Sequence, residues 1–277
     1  MGVRVVTDST ADIPAALAAE LGIAVVPLTV LFGEESYRDG VDLDAPAFLK
    51  KLAASPTLPK TAQPSPVAFS QVYKELAGPG VEIVSIHLSA KLSGTLNSAL
   101  IARREMGDPA EITVVDSKWT SMCLGIIVLR AARAAQAGAS RDEVLRVTEE
   151  GIQQMHLLLF CGTLEYLQKG GRIGRAAAFV GGLLSVKPMI TLQQGEVHPV
   201  ERLRTRHRAL ERLWEWADAF SSATEYCVLH SASLEDAQPL YAHLTERFPQ
   251  AISHLAHVGP VIATHIGPGA VGIALLT

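Results

Sequence analysis

Short, continuously apolar segments alternate with segments of helical periodicity along the first 155 residues of the chain. Residues 3–7, 23–32 and 81–88 are such apolar segments, and this character is typical of strands buried on both faces of a parallel sheet. Helical patterns lie between them, the first with Asp12 as its expected N-terminal cap. The alternation predicts an α/β fold, in which a parallel sheet carries helices on both faces.

The pattern changes from residue 156 onward. Residues 187–193 and 197–203 are strand-like runs on either side of a glycine, which predicts an antiparallel hairpin with a tight turn. A chain of 277 residues also exceeds the usual size of a single domain. We therefore predict a Rossmann-like, parallel-sheet domain over residues 1–155 and a second α/β domain over residues 156–277. The second sheet should be mixed and largely antiparallel, and a ligand site is expected between the two domains.

A polar turn at residues 89–98 separates an apolar run from a helical pattern. Ser89, Ser93 and Thr95 place three hydroxyl groups where the predicted strand ends and the predicted helix begins. In an open α/β sheet ligands bind at the carboxyl ends of strands, and a helix N-terminus there offers free N–H groups to an anion. The turn therefore indicates an anion site, although Ser93 as a simple N-cap before a turn at Gly94 explains the local sequence equally well.

A second polar stretch, residues 57–66, is rich in proline, carries hydroxyl groups and also precedes a helical pattern. Two such loops suggest one shared site. Together with other motifs in the same order along the chain, they resemble the DegV family, whose members include the fatty-acid-binding subunit of bacterial fatty acid kinase. The other motifs are Thr7-Asp8-Ser9-Thr10-Ala11-Asp12-Ile13-Pro14, Val115-Asp116-Ser117, Leu164-Glu165-Tyr166-Leu167-Gln168-Lys169-Gly170-Gly171-Arg172-Ile173 and the glycine-rich run near the C-terminus.

The resemblance implies that the chain binds a long-chain fatty acid between its domains, with the tail in an apolar tunnel. It implies that Thr61, Ser93 and His265 hold the carboxylate, with the Gly94 N–H as a further donor. It also implies a protein partner, the ATP-binding subunit of fatty acid kinase. This chain would then be a carrier and not an enzyme, because phosphoryl transfer to the carboxylate would take place on the partner.

Basic residues in the second half of the chain indicate where such a partner could dock. Arg172 follows two glycines, and Arg202 and Arg204 belong to a run of alternating arginines. A solvated face is the usual role of such charges. The resemblance instead implies docking to the kinase subunit, with Arg172 as the better-matched residue.

Other partners and cofactors are not expected. Twenty-four basic against 28 acidic residues give a net charge of −4, which argues against nucleic acid. The glycines of residues 267–272 have dinucleotide-loop spacing, but that loop must open a helix and only five residues follow, so we expect no nucleotide cofactor. His254 and His257 lie three apart in a strand-like run and should face opposite sides, so no metal site is expected.

The sequence also favours a particular compartment. Cys123, Cys161 and Cys227 are widely spaced in apolar surroundings, which is typical of reduced, buried cysteines. The first residues lack the pattern of a signal peptide, and the longest apolar run, residues 124–129, is too short to span a membrane. We therefore expect a cytoplasmic protein without stable membrane insertion.

Two alternative functions stay open at this point. Ser93 could be the nucleophile of an esterase or thioesterase with His265 as its base, although Lys91 stands where the nucleophile elbow requires glycine. The chain could instead bind a small polar metabolite, in which case the same fold would lack an apolar tunnel.

Overall fold

The structure of the chain is a computed structural model that describes residues 2–106, 111–179 and 186–277. The strands in chain order are β1 (Gly2–Asp8), β2 (Ala24–Val26), β3 (Thr29–Phe32), β4 (Glu35–Arg38), β5 (Lys60–Ala62), β6 (Val81–His87), β7 (Ile112–Asp116), β8 (Met155–Phe160), β9 (Lys187–Gln193), β10 (Glu196–Leu203), β11 (Glu225–His230), β12 (Ile252–His257) and β13 (Val271–Leu276). The helices are α1 (Ala15–Glu20), α2 (Ala45–Ala54), α3 (Pro66–Leu76), α4 (Thr95–Glu105), α5 (Ser121–Gln136), α6 (Arg141–Gln154), α7 (Glu165–Lys169), α8 (Arg206–Asp218), α9 (Leu234–Arg247) and α10 (Pro260–Ile266). Short 3-10 turns occupy Ser9–Ala11 and Gly174–Phe179.

Four parallel strands form the first sheet, in the order β2-β1-β6-β7. Because β2 and β6 lie on opposite sides of β1, the direction of winding reverses between β1 and β6. Such a switch point leaves a crevice at the carboxyl ends of the two strands, where α/β proteins bind their ligands. Asp8 and His87 end these strands, so the polar turn after β6 lies at this crevice.

Six strands form the second sheet, in the order β10-β9-β8-β13-β11-β12. Every neighbouring pair is antiparallel except β11 and β12, which are parallel. The predicted hairpin is present, with Gln194 and Gly195 at positive φ in its two-residue turn, as such turns require. The predicted fold class, a parallel sheet followed by a mixed and largely antiparallel one, is confirmed.

A third, three-stranded antiparallel sheet has the order β4-β3-β5, and it corrects two predictions. The single long strand predicted over residues 23–32 is wrong, because the chain leaves the first sheet after β2 and enters this sheet at β3. Pro27 lies at the break, where its missing N–H cannot contribute to a sheet ladder. The proline-rich stretch was predicted to be a loop, but it contributes strand β5, which carries Thr61.

Helix α5 packs against both large sheets, with contacts to β1 and β6 on one side and to β8, β11 and β13 on the other. Eleven of its sixteen residues are buried. The strands of the first sheet come from residues 2–116 and those of the second from residues 155–276, so the predicted boundary after residue 155 lies one residue past the start of β8. That boundary stays a prediction, because α5 joins both halves in one hydrophobic core.

Polar side chains cap the starts of several helices. Asp44 accepts a hydrogen bond from the Ala47 N–H, and Ser140 accepts one from the Glu143 N–H. Asp12 is not the cap that we predicted: it has a left-handed backbone, and its carboxylate instead accepts a hydrogen bond from a serine hydroxyl of α5. Within the described ranges, we find no helix with both the length and the apolar character needed to cross a bilayer.

Candidate ligand-binding site

An apolar cavity of about 290 Å³ is lined by residues from both halves of the chain. Its walls carry leucine, isoleucine and valine side chains contributed by both halves, and a few polar groups lie among them. Such a combination of apolar walls with a few convergent polar groups is typical of a small-molecule site. The apolar lining residues include Leu28, Leu88, Leu157, Leu159, Ile190, Leu192, Leu229, Val258 and Val261.

Two of the predicted site residues, Thr61 and His265, are in direct contact at this cavity. Thr61 lies on β5 and His265 near the end of α10, and their Oγ1 and Nε2 atoms are 2.9 Å apart. His265 Nδ1 is buried and has no hydrogen-bond partner among the described residues. Placing the imidazole proton on Nε2 avoids a buried N–H without an acceptor. Nε2–H then donates to Thr61, whose own hydroxyl proton is left for a ligand.

The surroundings of His265 keep it neutral. Burial and, to a smaller extent, the nearby positive charge of Arg172 lower the pKa of His265 to about 4. The ring also lies close against Gly170: a Cβ at that position would be 3.1 Å from Cε1 and closer still to Nδ1. Glycine at position 170 is therefore explained by the approach of the imidazole. Alanine there would displace the ring from Thr61.

Ser93 is the hydroxyl-bearing residue of the polar turn that lines the cavity, next to Leu92. Its Oγ lies 2.9 Å from Thr95 Oγ1 and accepts a hydrogen bond from the Thr95 N–H at 3.3 Å. Ser89 has a different role, because its buried hydroxyl donates to the Gly195 carbonyl at the hairpin turn. The structure thus brings Thr61, Ser93 and His265 to one cavity, from three separate parts of the chain.

Gly94 and Gln63 meet beside Ser93. Gly94 is the N-terminal cap of α4, and the side-chain amide of Gln63 lies over its Cα. Gln63 also lines the cavity, and our sequence reasoning missed it, although it stands within the proline-rich motif two residues after Thr61. The expected role of the Gly94 N–H as a donor to the ligand stays a prediction.

The arginines predicted to dock a partner lie in different settings. Arg172 lines the cavity, where its Nε donates to the Leu92 carbonyl at 3.2 Å. Arg202 is exposed on β10, and its guanidinium lies over the Phe179 ring, 4.9 Å from the centroid. Arg204 is exposed one residue beyond the end of β10. Arg172 and Arg202 therefore flank the 3-10 turn Gly174–Phe179.

A buried chain of polar groups near the switch point has the connectivity of a catalytic triad. Asp8 Oδ2 lies 3.0 Å from His87 Nδ1, and His87 Nε2 lies 2.7 Å from Ser85 Oγ. All three side chains are fully buried, and none lines the cavity. Ser85 Oγ also accepts a hydrogen bond from the Tyr73 hydroxyl, which occupies one of its lone pairs. This network ties the ends of β1 and β6 together and gives no support for nucleophilic catalysis.

Comparison with known proteins identifies close relatives over the whole chain. The sequence model described as "Uncharacterised protein, DegV family" matches residues 2–277. A DegV domain-containing protein of Streptomyces coelicolor is 38% identical over 277 residues, covering 99% of this chain and 98% of the relative.

Solved structures agree with this match. The structure of a DegV family protein from Thermus thermophilus, described by its fatty acid binding, is 35% identical with a TM-score of 0.91 and full coverage of both chains. A stearic-acid-binding protein from Eubacterium ventriosum has a TM-score of 0.91 at 25% identity, with 99% of this chain and 98% of that chain covered.

Proposed function

This chain belongs to the DegV family, and from that membership and its apolar cavity we propose that it is a carrier of long-chain fatty acids. It holds the acid between its two halves, with the carboxylate at Thr61, Ser93 and His265, and presents that carboxylate to a separate kinase subunit. The relatives from Thermus thermophilus and Eubacterium ventriosum are described as binding fatty acid, and specifically stearic acid in the second case.

The observation that carries the proposal is that the hydroxyl groups of Thr61 and Ser93 line an otherwise largely apolar cavity. Leucine, isoleucine and valine walls suit an alkyl chain, which contributes about 0.8 kcal/mol for each buried methylene. A hydrogen bond from Thr61 or Ser93 to a carboxylate contributes about 1.5–3 kcal/mol, and burying the charge offsets part of this. The tail therefore supplies most of the affinity, while the hydroxyl groups fix the position of the head group.

The charge next to the head-group hydroxyls also fits a carboxylate. His265 is neutral at physiological pH, so its ring orients Thr61 without adding charge. Arg172 supplies the positive charge near His265 that a carboxylate needs as its counter-ion. An anionic head group is thus favoured over a neutral one at this end of the cavity.

We also propose that the bound carboxylate is presented to a separate kinase subunit. Phosphoryl transfer to a carboxylate depends mainly on alignment and on neutralising charge, and a P-loop or a kinase-type glycine loop normally binds the nucleotide. The sequence contains neither loop. We propose that the partner docks on the surface around Arg172, Arg202 and Arg204, next to the exposed end of the ligand.

The two alternative functions have less support. An esterase would need Ser93 hydrogen-bonded to its base, whereas His265 Nε2 is bonded to Thr61 and Ser93 Oγ to Thr95. A binder of small polar metabolites would not need the apolar walls behind the hydroxyl groups.

Native mass spectrometry of the purified protein tests the proposal. We expect an added mass of fatty-acid size that is removed by organic extraction and restored by incubation with stearate. Incubation of the loaded protein with a fatty acid kinase ATP-binding subunit and ATP should then yield an acyl phosphate. A folded protein that neither retains nor takes up a long-chain acid would contradict the carrier function.

A further inference from the structure

The side-chain amide of Gln63 lies unusually close to Gly94. A Cβ at position 94 would be 2.7 Å from Gln63 Nε2 and 2.8 Å from its Cδ. The backbone of Gly94 has φ −76°, which any residue can adopt. Any residue with a Cβ at position 94 would therefore have to displace the Gln63 amide, although the backbone conformation there suits every residue.

A hydrogen bond fixes the amide in this place. Gln63 Nε2 donates to Ser98 Oγ at 3.2 Å. Ser98 lies on α4 with only 2% of its surface exposed, and it does not line the cavity. Its N–H in turn donates to the Gly94 carbonyl at 3.0 Å, in the first turn of α4. Gln63 is thus bound to the start of the helix that follows Ser93.

This contact joins the two segments that carry the head-group hydroxyls. Thr61 lies two residues before Gln63, and Ser93 lies one residue before Gly94. In the part of the chain that the structure describes, the Gln63–Ser98 bond is the side-chain hydrogen bond that links residues 60–63 to residues 89–98. It is thus the direct polar link between the short strand β5 and the turn before α4.

We infer that Gln63 is a positioning residue that sets the spacing between the Thr61 and Ser93 hydroxyls, and so selects a carboxylate head group. The inference rests on the proposed fatty-acid function of the same cavity. Two oxygens of one carboxylate accept two donors at a fixed separation, whereas an alcohol offers a single oxygen. Correct spacing of the two donors therefore favours the acid over the alcohol of equal chain length.

Three variants test the contact of Gln63 with Ser98 and Gly94, each by changing one of these residues. Gln63→Ala removes the amide, Ser98→Ala removes its acceptor outside the cavity, and Gly94→Ala forces the amide away by adding a Cβ. The readout is the ratio of the dissociation constants of cetyl alcohol and palmitate, each measured by displacement of a fluorescent fatty acid. Since the tails are equal, a change in packing around the tail leaves this ratio unchanged, whereas a change in donor spacing alters it.

We expect each single variant to lower the ratio by about five- to tenfold, the effect of one lost hydrogen bond. Adding Gly94→Ala to Gln63→Ala should have no further effect, because the atoms that the new Cβ would meet are gone. Gln71→Ala, an exposed glutamine on α3, is the matched control and should keep the wild-type ratio.

Independent, additive effects of Gln63→Ala and Gly94→Ala would overturn the inference, and so would an unchanged ratio in Gln63→Ala and Ser98→Ala. If Gly94→Ala does not fold, the other two single variants decide by themselves. Failure of the wild type to bind palmitate would contradict the proposed function instead, so the two failures are distinguishable.

Discussion

Acidification tests the environment of His265 directly. Burial, together with the positive charge of Arg172, lowers the pKa of His265 from its ordinary 6.5 to about 4. Between these values the unfolded chain binds a proton that the folded chain does not bind. The folded state therefore loses stability as the pH falls from about 6.5 toward 4. At 1.36 kcal/mol for each pKa unit, the full effect is about 3 kcal/mol in the free energy of unfolding.

Comparison with His265→Gln isolates this effect from other titrating groups. Burial also lowers the pKa of His230 to about 4 and raises the pKa of Asp39 to about 6. The pH dependence of the wild type's unfolding free energy is therefore the sum of several contributions. Both proteins share those groups, and glutamine can still hydrogen-bond to Thr61. Urea denaturation at about pH 7 and about pH 4.5 should show the variant gaining about 2 kcal/mol of stability relative to the wild type.

If the difference in unfolding free energy between the wild type and His265→Gln does not change with pH, the lowered pKa of His265 is refuted. An independent check is the His265 ring resonance in an NMR titration. A midpoint near 6.5 in the folded protein would show that the imidazole is solvated, and that its contact with Thr61 does not depend on a neutral ring.

Three further predictions concern the ligand and its transfer. Ser93→Ala and Thr61→Ala should each weaken palmitate binding by about tenfold in calorimetry, because one hydroxyl contributes much less than the tail; complete loss of lipid from a folded variant would contradict this. Palmitate should raise the melting temperature while butyrate, with few methylenes to bury, leaves it nearly unchanged, and equal shifts would favour a small polar ligand. Arg202→Glu, outside the cavity, should keep its bound lipid but slow acyl-phosphate formation by the kinase subunit, most strongly at low salt. Rates equal to wild type at low salt would exclude a docking role for Arg202.

The fold was predictable where burial is a local property of the sequence. Continuous apolar runs indicated the parallel strands β1 and β6, and the glycine between two strand-like runs indicated the β9–β10 hairpin. The prediction of one strand over residues 23–32 was wrong because β2 and β3 are both apolar but belong to different sheets. A local sequence pattern does not show which strand is the pairing partner. Helix α10 was missed because seven residues are too few for a clear helical period.

The candidate site was predictable only as separate motifs. Hydroxyl-rich stretches before helices indicated the two loops, and the family resemblance selected Thr61, Ser93 and His265 as the head-group residues. Their contact is a long-range property, since Thr61 and His265 are 204 residues apart. Gln63 gave no signal by itself, because an exposed glutamine in a loop is usually solvated. Its close approach to Gly94 is a feature of the folded structure alone.

The position of α5 limits how ligand can enter and leave. Swinging the two halves apart would expose one face of a helix whose residues 122–129 include six fully buried Met, Leu, Ile and Val side chains. At about 1.5–3 kcal/mol each, exposing even three of them would cost about 5–9 kcal/mol, comparable with the whole stability of a typical domain. Separation of the two halves is therefore too costly for routine turnover, and the exchange of fatty acid should need only local movement around Thr61, Ser93 and His265. A covalent cross-link between the halves, placed away from these residues, should leave the rate of fatty-acid exchange unchanged.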